Sequence, residues 1–344
     1  MTSTNSLALA GPGAARGRTG TGRAHGKVIA LGEHAVVYGA PALAVPVPQL
    51  TATATATRLA SGSGSGGEDD SEVSFALAGP GTASATPLAV DGLRHLVAQF
   101  KERADVTERV RVDVVIDCAV PQGRGLGSSA ACARAAVLAL ADVFDRRLDP
   151  GAVFDLVQAS EKVAHGNASG IDALATGATA PLLFQAGTAR EVPGVWSGDG
   201  GGLFVIADSG VGGSTKEAVT LLRHRFARDP AAREAFVDGV SRLTRAALRD
   251  LAGGRLADFG SRLTENHRLL REVGISTDRI DALVDAALAA GSVGAKLTGG
   301  GLGGCMIALV TDARRAETVA RCLRDRGAAR TWVVAAGGSA SHVR

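Results

Sequence analysis

The sequence has no large excess of charge of either sign. Lysine and arginine together number 37, against 34 aspartates and glutamates, which gives a formal net charge of +3. Proteins that bind nucleic acid or anionic membranes through surface charge carry a clear basic excess or basic patch. We therefore expect neither a nucleic acid nor a membrane among the partners of this chain.

Long hydrophobic runs are also missing. No apolar stretch approaches the ~20 residues that a helix needs to cross a bilayer. No basic segment precedes the first apolar residues, Leu7–Ala10. A signal peptide begins with such a segment, so none is expected here.

Cysteine and histidine are few and dispersed. The four cysteines show no CxxC spacing, and the seven histidines form no HxH or HxxxH pair. A structural zinc site is therefore not expected. Dispersed cysteines in a chain of this size are typical of reduced core thiols, which predicts a cytoplasmic location.

Lysine is nearly absent, whereas glycine is abundant. The chain has five lysines, and 46 of its 344 residues are glycine, where an average protein has ~7%. Lys27, Lys216 and Lys296 lie in or beside glycine-rich segments. A chain that otherwise uses arginine has a reason to keep each lysine, so these segments are the candidates for a functional site.

Composition and periodicity predict a tail followed by two domains. Residues 1–22 have no periodicity and are predicted to be a flexible tail, and residues 61–72 (SGSGSGGEDDSE) a disordered loop. Residues 23–190 combine short apolar runs with helical patterns. From residue 191 to 344 a mainly helical stretch (about 215–290) precedes a strand, strand, helix, strand pattern. The sequence therefore predicts an α+β fold in two domains.

The individual elements follow from apolar spacing and from capping residues. The alternating TATATAT at 51–57 predicts a strand with one exposed face. Asp149 followed by Pro150 predicts a helix start, and Gly166 its end. The other predicted helices are Leu88–Glu102, Ser128–Phe144 and Ala313–Arg326. The other predicted strands are Val110–Ile116, Leu182–Phe184, Leu203–Ala207, Val293–Leu297, Cys305–Val310 and Thr331–Ala335.

The strongest glycine-rich segment is PQGRGLGSSAA, residues 121–131, between a predicted strand and a long apolar helix. Glycines let the backbone approach a ligand closely, and the helix start offers N–H groups and the positive end of its dipole. A polyphosphate is the expected ligand. Ser128 and Ser129 can cap the helix, and one of them can bind Mg²⁺. An ordinary capped helix after a tight turn is the competing interpretation.

Neither standard nucleotide-binding signature applies to this chain. The P-loop pattern GxxxxGK[ST] is absent. The pattern GxGxxG occurs at Gly299–Gly304, but a strand is predicted after it where a dinucleotide-binding site requires a helix. A dehydrogenase is therefore excluded.

Two further glycine-rich segments carry lysines. In the first, Lys27 leads a predicted strand that ends at Glu33 and His34. A lysine there suits a phosphate or a developing alkoxide, although a surface lysine and a structural histidine are the competing interpretation. In the second, Lys296 precedes five glycines in six residues, which indicates either a wall over an anionic ligand or a mobile structural loop.

Two acids lie between these segments. Glu161 is near the C-terminal end of a predicted helix, where the helix dipole disfavours an anion. A bound metal ion would offset that penalty, so Glu161 is a candidate metal ligand. Asp172 follows a glycine-containing turn that can direct it into a cleft. Exposed surface charge is the competing interpretation for both acids.

Four motifs in this order, GKVIALGEHAVVYGAPALAV, PQGRGLGSSAA, EKVAHGNASGID and KLTGGGLGG, resemble the GHMP kinase family. The resemblance implies the GHMP kinase fold: a ribosomal-protein-like nucleotide-binding domain, a ferredoxin-like C-terminal domain, and an active site in the cleft between them. It implies ATP and Mg²⁺ as cofactors and favours a homodimer.

Within the family, GEHAVVYG and HG-x-x-SGID point to members that phosphorylate the hydroxyl of (R)-mevalonate. The alternatives are a kinase or decarboxylase acting on phosphomevalonate or a related small alcohol. A further alternative is a nucleotide-binding sensor without catalytic activity. Such a protein would be expected to lack one of the acids or the lysine, and the sequence shows no such loss.

The resemblance also implies a role for each matched residue. Asp172 would be the general base and Lys27 would stabilise charge, with Ser129 and Glu161 as Mg²⁺ ligands. The implied ATP-binding residues are Pro121, Gly123, Gly125, Leu126, Gly127, Ser128, Ser129 and Ala130. The implied substrate-binding residues are Glu33, His34, Thr215 and Gly301. The chain departs from the family pattern at His25, Ala173 and Leu302, where the family usually has Pro, Asn and Gly.

Overall fold

A computed structural model of the chain describes residues 16–59, 73–78, 87–107, 111–166, 168–192 and 202–336. These residues form two sheets with helices packed on them. The first sheet has the order β3-β4-β2-β5-β6, with β1 paired to β2, and the second has the order β10-β7-β9-β8. All strand pairs are antiparallel except β3 with β4. The strands are β1 Arg16–Leu31, β2 Ala42–Leu59, β3 Val73–Ala78, β4 Arg111–Cys118, β5 Leu182–Gln185, β6 Thr188–Glu191, β7 Leu203–Asp208, β8 Gly294–Thr298, β9 Cys305–Val310 and β10 Arg330–Ala335.

The helices follow the predicted order. A short 3-10 helix, Ala35–Tyr38, lies between β1 and β2. The α-helices are α1 Pro87–Arg103, α2 Ser128–Val143, α3 Pro150–His165, α4 Ile171–Ala175, α5 Thr215–Arg228, α6 Pro230–Ala252, α7 Leu256–Glu272, α8 Asp278–Ala289 and α9 Ala313–Asp325. Within the residues described, none of these helices combines the length and apolar character needed to cross a bilayer.

Elements with clear sequence signals are confirmed to within about two residues. The α3 helix begins as predicted, because the Asp149 side chain accepts a hydrogen bond from Ala152 N at 2.9 Å, and it ends at Gly166. In TATATAT the alanines are buried and the threonines half-buried. The sequence missed β6, whose four residues are all exposed and lack an alternating apolar pattern.

The predicted flexible tail is wrong over residues 16–22. These residues belong to β1, which pairs with β2 from Arg16 onward. A methyl group added at Gly20 would lie 2.3 Å from Val143 N, and one added at Gly22 would lie 2.1 Å from Ala135 O. The glycines therefore allow α2 to lie directly against the strand, and they were mistaken for a sign of flexibility. Residues 1–15 of the predicted tail and all of the predicted loop at 61–72 lie outside the described residues.

The first sheet ends at Glu191 and the second begins at Leu203, close to the domain boundary predicted after residue 190, which stays a prediction. One cluster of buried apolar side chains includes Val28 and Leu140 from the first half together with Phe204 and Ile307 from the second. Burial of apolar surface stabilises the association of such elements. The halves are therefore packed against each other through a shared core.

Candidate functional site

A cavity of about 140 Å³ lies where β1, α3, α4, the start of α5 and the 299–304 loop meet. Its lining includes seven of the predicted site residues: Lys27, Glu33, His34, Gly125, Glu161, Asp172 and Thr215. These residues come from distant parts of the sequence. The fold therefore brings the two predicted acids, the lysine and the Glu-His pair to a single place.

The centre of the site is the Lys27 ammonium. Lys27 is 2% exposed, and its Nζ lies 3.1 Å from Asp172 Oδ1. The same Nζ donates to Gly125 O at 3.1 Å. Asp172 is the second residue of α4, just after Gly170 with φ +96°, and its side chain is 35% exposed. A buried cation, an accessible carboxylate and the glycine-rich loop thus meet at one point.

Glu161 lies on α3 beside this pair and carries charge that is not fully matched. It is 4% exposed. Burial, together with the negative charge of Asp172, raises its pKa to about 7, although a hydrogen bond from Ser129 and the charge of Lys27 oppose the shift. Within the described residues its Oε1 has no hydrogen-bond partner. Its Oε2 lies 3.9 Å from His165 Nε2, and burial lowers the pKa of that histidine, whereas Lys27 pairs with Asp172. The arrangement therefore favours an additional cation.

The phosphate loop, defined here as residues 121–127, leads into α2. Gly123, Gly125 and Gly127 have φ of +64°, +78° and +77°, a region that only glycine adopts readily. The N-cap of α2 is Gly127, and no side chain caps this helix. The predicted capping by Ser128 and Ser129 is therefore wrong.

The α2 start has the properties of an anion site. Its first hydrogen bond to a carbonyl before the helix runs from Ala131 N to Gly127 O at 2.9 Å, so the preceding N–H groups have no acceptor within the helix. The predicted ATP-binding residues Pro121, Leu126 and Ala130 have buried side chains. Leu126 and Ala130 can therefore offer a phosphate only a backbone N–H, and Pro121, which has none, can offer no donor.

The opposite wall contains a second buried ion pair. Glu33, 4% exposed, contacts the ammonium of Lys296, which is fully buried. Lys296 Nζ also donates to Leu297 O at 2.6 Å and to Ile29 O at 3.4 Å. Burial raises the pKa of Glu33, and the charge of Lys296 opposes that shift. This carboxylate, unlike Glu161, has a counter-ion of its own.

His34 is held on the same wall as a neutral ring. Its Nε2 lies 3.0 Å from Gly300 O, and burial lowers its pKa to about 4. A neutral imidazole that donates from Nε2 presents Nδ1 as an acceptor. His34 can therefore accept a hydrogen bond from a ligand hydroxyl, but it offers no positive charge near neutral pH.

The 299–304 loop reaches the cavity through glycines other than the predicted one. Among the described residues that line the cavity are Gly299 and Gly300, but not Gly301. A methyl group at Gly301 would lie 2.2 Å from Ile275 Cγ2, so this residue packs against a neighbouring loop. A methyl group at Gly300 would lie 2.3 Å from Thr215 Oγ1. The geometry favours Gly300 over Gly301 beside Thr215.

Three residues of the site had no role assigned from sequence. Lys296 drew attention as one of only five lysines, yet its pairing with Glu33 spans 263 positions and has no local signal. Gln158 and His165 line the cavity with Glu161. Their spacing of three and four residues along α3 places them on one helix face. That spacing is the signal that could have identified them.

Comparison with known proteins shows matches over most of the chain. Residues 90–178 match the model of the GHMP kinases N terminal domain, and residues 245–329 match that of the GHMP kinases C terminal. A mevalonate kinase of Pyrococcus abyssi is 31% identical over 301 residues, covering 84% of this chain and 88% of that protein.

Solved structures show the same overall fold. The mevalonate kinase of L. major in complex with R-mevalonate has a TM-score of 0.78 at 21% identity, covering 96% of this chain and 100% of that chain. The mevalonate kinase of methicillin-resistant Staphylococcus aureus has a TM-score of 0.68 at 28% identity, covering 93% and 99%. The first of these similarities, at 21% identity, is evidence for the fold alone.

Proposed function

The chain belongs to the GHMP kinase family, and we propose that it is a mevalonate kinase. It would transfer the γ-phosphoryl group of ATP to the 5-hydroxyl of (R)-mevalonate, giving 5-phosphomevalonate in the mevalonate route to isoprenoids. The proposal rests mainly on one observation: Lys27 Nζ lies 3.1 Å from Asp172 Oδ1 and 3.1 Å from Gly125 O. A base, a cation and the phosphate loop thus meet where a hydroxyl and a phosphate must react. The mevalonate kinases among the relatives support the choice of substrate.

Asp172 is the proposed general base. Its carboxylate is open to the cavity, so it can accept the proton of the substrate hydroxyl as the oxygen attacks phosphorus. Lys27, buried beside it, stabilises negative charge on that oxygen and on the transferring group. Phosphoryl transfer depends mainly on positioning and charge stabilisation, which this pair supplies.

Ser129 and Glu161 fit a magnesium ion. Mg²⁺ prefers oxygen ligands, commonly one or two carboxylates together with substrate phosphates. Glu161 Oε1 is buried and without a partner in the described structure, and the Ser129 hydroxyl lies next to the same carboxyl group. When bound, the ion would neutralise phosphate oxygens during transfer. Burial and the charge of Asp172 raise the pKa of Glu161, and a bound cation would favour its charged form.

The phosphates of ATP are assigned to the phosphate loop and the first turn of α2. Gly123, Gly125 and Gly127 allow close backbone approach, and the N–H groups of residues 128–130 have no acceptor within the helix. Ser128 adds a hydroxyl at the same position. Together these groups account for polyphosphate binding without a P-loop lysine.

Mevalonate is assigned to the wall formed by Glu33, His34 and Thr215, with Gly301 as a more distant part of the same loop. A phosphorylated substrate would bring further negative charge into the cavity. Among the described residues that line it there is one lysine, Lys27, whose charge Asp172 already balances, and no arginine. The neutral His34 adds no positive charge. The charge balance therefore favours mevalonate over phosphomevalonate.

Turnover measurements test this proposal. ADP release is followed after (R)-mevalonate is added to protein, ATP and Mg²⁺, and kcat/KM is compared with that for 5-phosphomevalonate. We expect turnover with mevalonate, a much lower kcat/KM for the phosphorylated compound, and no turnover when Mg²⁺ is chelated. Turnover with neither compound, or a preference for 5-phosphomevalonate, would refute the assignment.

Location and assembly belong to the same proposal. A cytoplasmic enzyme is consistent with Cys118, Cys132, Cys305 and Cys322, which are all free thiols. The homodimer rests on the family resemblance. Light scattering coupled to size-exclusion chromatography tests it, and a mass of one chain at micromolar concentration would contradict it.

A further inference from the structure

Arg124 belongs to the phosphate loop, but its side chain leaves the loop and contacts the second sheet. It stands between Gly123 and Gly125. Its Nε donates to Oδ2 of Asp208, the last residue of β7, at 3.2 Å, and its Nη2 donates to Gly210 O at 3.3 Å. The side chain of Asp208 is 7% exposed and that of Arg124 is 22% exposed. The pair is therefore shielded from water, unlike an ordinary surface ion pair.

Backbone contacts join the same regions. Gly213 N donates to Gly123 O at 3.2 Å, and Gly304 N donates to Val211 O at 2.8 Å. A methyl group added at Gly304 would lie 2.9 Å from Arg124 O. The phosphate loop, the 208–213 loop and the 299–304 loop thus touch through backbone atoms, and Arg124 adds a charged side chain to this junction.

We infer that Arg124 is a positioning residue for nucleotide binding, an inference that rests on the proposed kinase function. A loop with three glycines has many accessible conformations, and ordering it costs entropy. The Arg124 guanidinium engages a carboxylate and a carbonyl with two separate nitrogens, a geometry that its planar fork favours. By holding Asp208 and Gly210, it keeps the phosphate loop in the shape that turns its amides and the α2 start toward a phosphate.

A direct contact between Arg124 and ATP is the competing explanation. In the structure its guanidinium is engaged by Asp208 and Gly210, and Arg124 is not among the described residues that line the cavity. The two explanations predict opposite results when Asp208 loses its charge. If Arg124 binds ATP directly, Asp208→Asn frees the guanidinium and ATP binds as well as before or more tightly. If Arg124 positions the loop, the same change weakens ATP binding.

The test is calorimetric titration of the full chain with MgATP in the absence of an acceptor. We expect ~10-fold weaker binding in Arg124→Ala and in Asp208→Asn, the scale of a lost charge-assisted hydrogen bond. The double variant should bind no more weakly than either single variant, because both changes remove the same interaction. Unchanged binding in Arg124→Ala, or unchanged or tighter binding in Asp208→Asn, would overturn the inference.

Two further variants separate positioning from general loss of structure. Arg262→Ala removes another arginine–aspartate pair, with Arg262 Nε 3.1 Å from Asp250 Oδ2 and Asp250 also 7% exposed, far from the loop in sequence. It should bind MgATP like the original chain, and an equal loss there would refute a specific role for Arg124.

Arg124→Lys keeps the positive charge but lacks the planar guanidinium that donates from two separate nitrogens. It should bind MgATP with intermediate affinity, and it answers the question if Arg124→Ala does not fold. Affinity equal to that of the original chain would show that the fork is not needed, which contradicts the inference. A lack of MgATP binding by the original chain would instead refute the proposed function.

Discussion

The two ends of the cavity bury charge in different ways. At the reaction end, Lys27 pairs with Asp172. The basic group near Glu161 is His165, with Nε2 3.9 Å from Glu161 Oε2, and burial lowers the pKa of that histidine. At the wall end, Glu33 contacts the Lys296 ammonium directly, and His34 is neutral. Each of the two buried glutamates has one oxygen without a partner in the described structure, so the difference between the ends lies in the counter-ion. The protein completes the charge balance at the wall but not at the reaction end.

This difference suggests that the reaction end serves the chemical step and that the wall end maintains the shape of the substrate pocket. An unmatched buried charge is costly unless something compensates it, and a bound cation is the compensation that phosphoryl transfer requires. A matched buried pair adds little net stability, but removing one partner is strongly destabilising. We therefore expect changes at the reaction end to alter turnover and metal dependence, and changes at the wall end to alter stability and substrate affinity.

The largest expected effect is the loss of turnover in Asp172→Asn. The amide keeps the shape of the side chain but cannot act as a base, so kcat should fall by ~10²–10⁴-fold. MgATP affinity should stay within a few fold of that of the original chain, which calorimetry checks. Asp258→Asn, an exposed position on α7, is the matched control and should turn over normally. Turnover near normal in Asp172→Asn would remove this residue from its proposed role.

The next effect is the loss of stability in Lys296→Met. The change leaves Glu33 buried without a counter-ion, which should lower the free energy of unfolding by ~3–5 kcal/mol. Adding Glu33→Gln to the same chain should recover part of that loss, because the uncompensated charge is then removed. Urea unfolding of the two single variants and the double variant measures this coupling. Additive losses would show that the two side chains do not act as a pair.

The pH dependence of stability tests the reaction end. An acid with a raised pKa in the folded state stabilises the fold fully below its unfolded value near 4.5 and loses that contribution as the pH rises through about 7. For Glu161 the loss amounts to roughly 3 kcal/mol between these limits in metal-free protein. Glu161→Gln should remove this part of the slope, as should Mg²⁺ added to the original chain. Urea unfolding at pH 5 and pH 7.5, with and without Mg²⁺, provides the comparison. Equal slopes for all samples would contradict the assignment of Glu161.

The smallest expected effect is a change in substrate affinity from Gly300→Ala. The added methyl group would lie 2.3 Å from Thr215 Oγ1, so the threonine side chain or the loop must move. We expect KM for mevalonate to rise by several fold while KM for ATP changes little, because ATP is assigned to the phosphate loop. Steady-state kinetics with each substrate varied in turn measures both constants. A selective rise in KM for ATP would indicate that Gly300 lies beside the nucleotide, which contradicts its assignment to the mevalonate wall.

Local signals in the sequence were sufficient for most of the fold. Asp149, Pro150 and Gly166 predict the limits of α3 because capping depends on residues within one turn of the helix. The same holds for the glycines of the phosphate loop, whose φ values are a property of the turn itself. The order of elements and the residues that gather at the cavity were therefore predictable, with help from the family resemblance.

Contacts between distant segments were not predictable in this way. Gly20 and Gly22 have the composition of a flexible tail, and only the position of α2 shows that they are packing residues. The pairing of Glu33 with Lys296 and the joining of Arg124 to Asp208 depend on how the two halves meet. The surroundings of Glu161 depend on how distant segments of the first half pack together. Such contacts carry no local periodicity or cap. Residue types and their spacing thus set which groups are available for phosphoryl transfer, whereas long-range packing sets which charges are matched and which one is left for a cation.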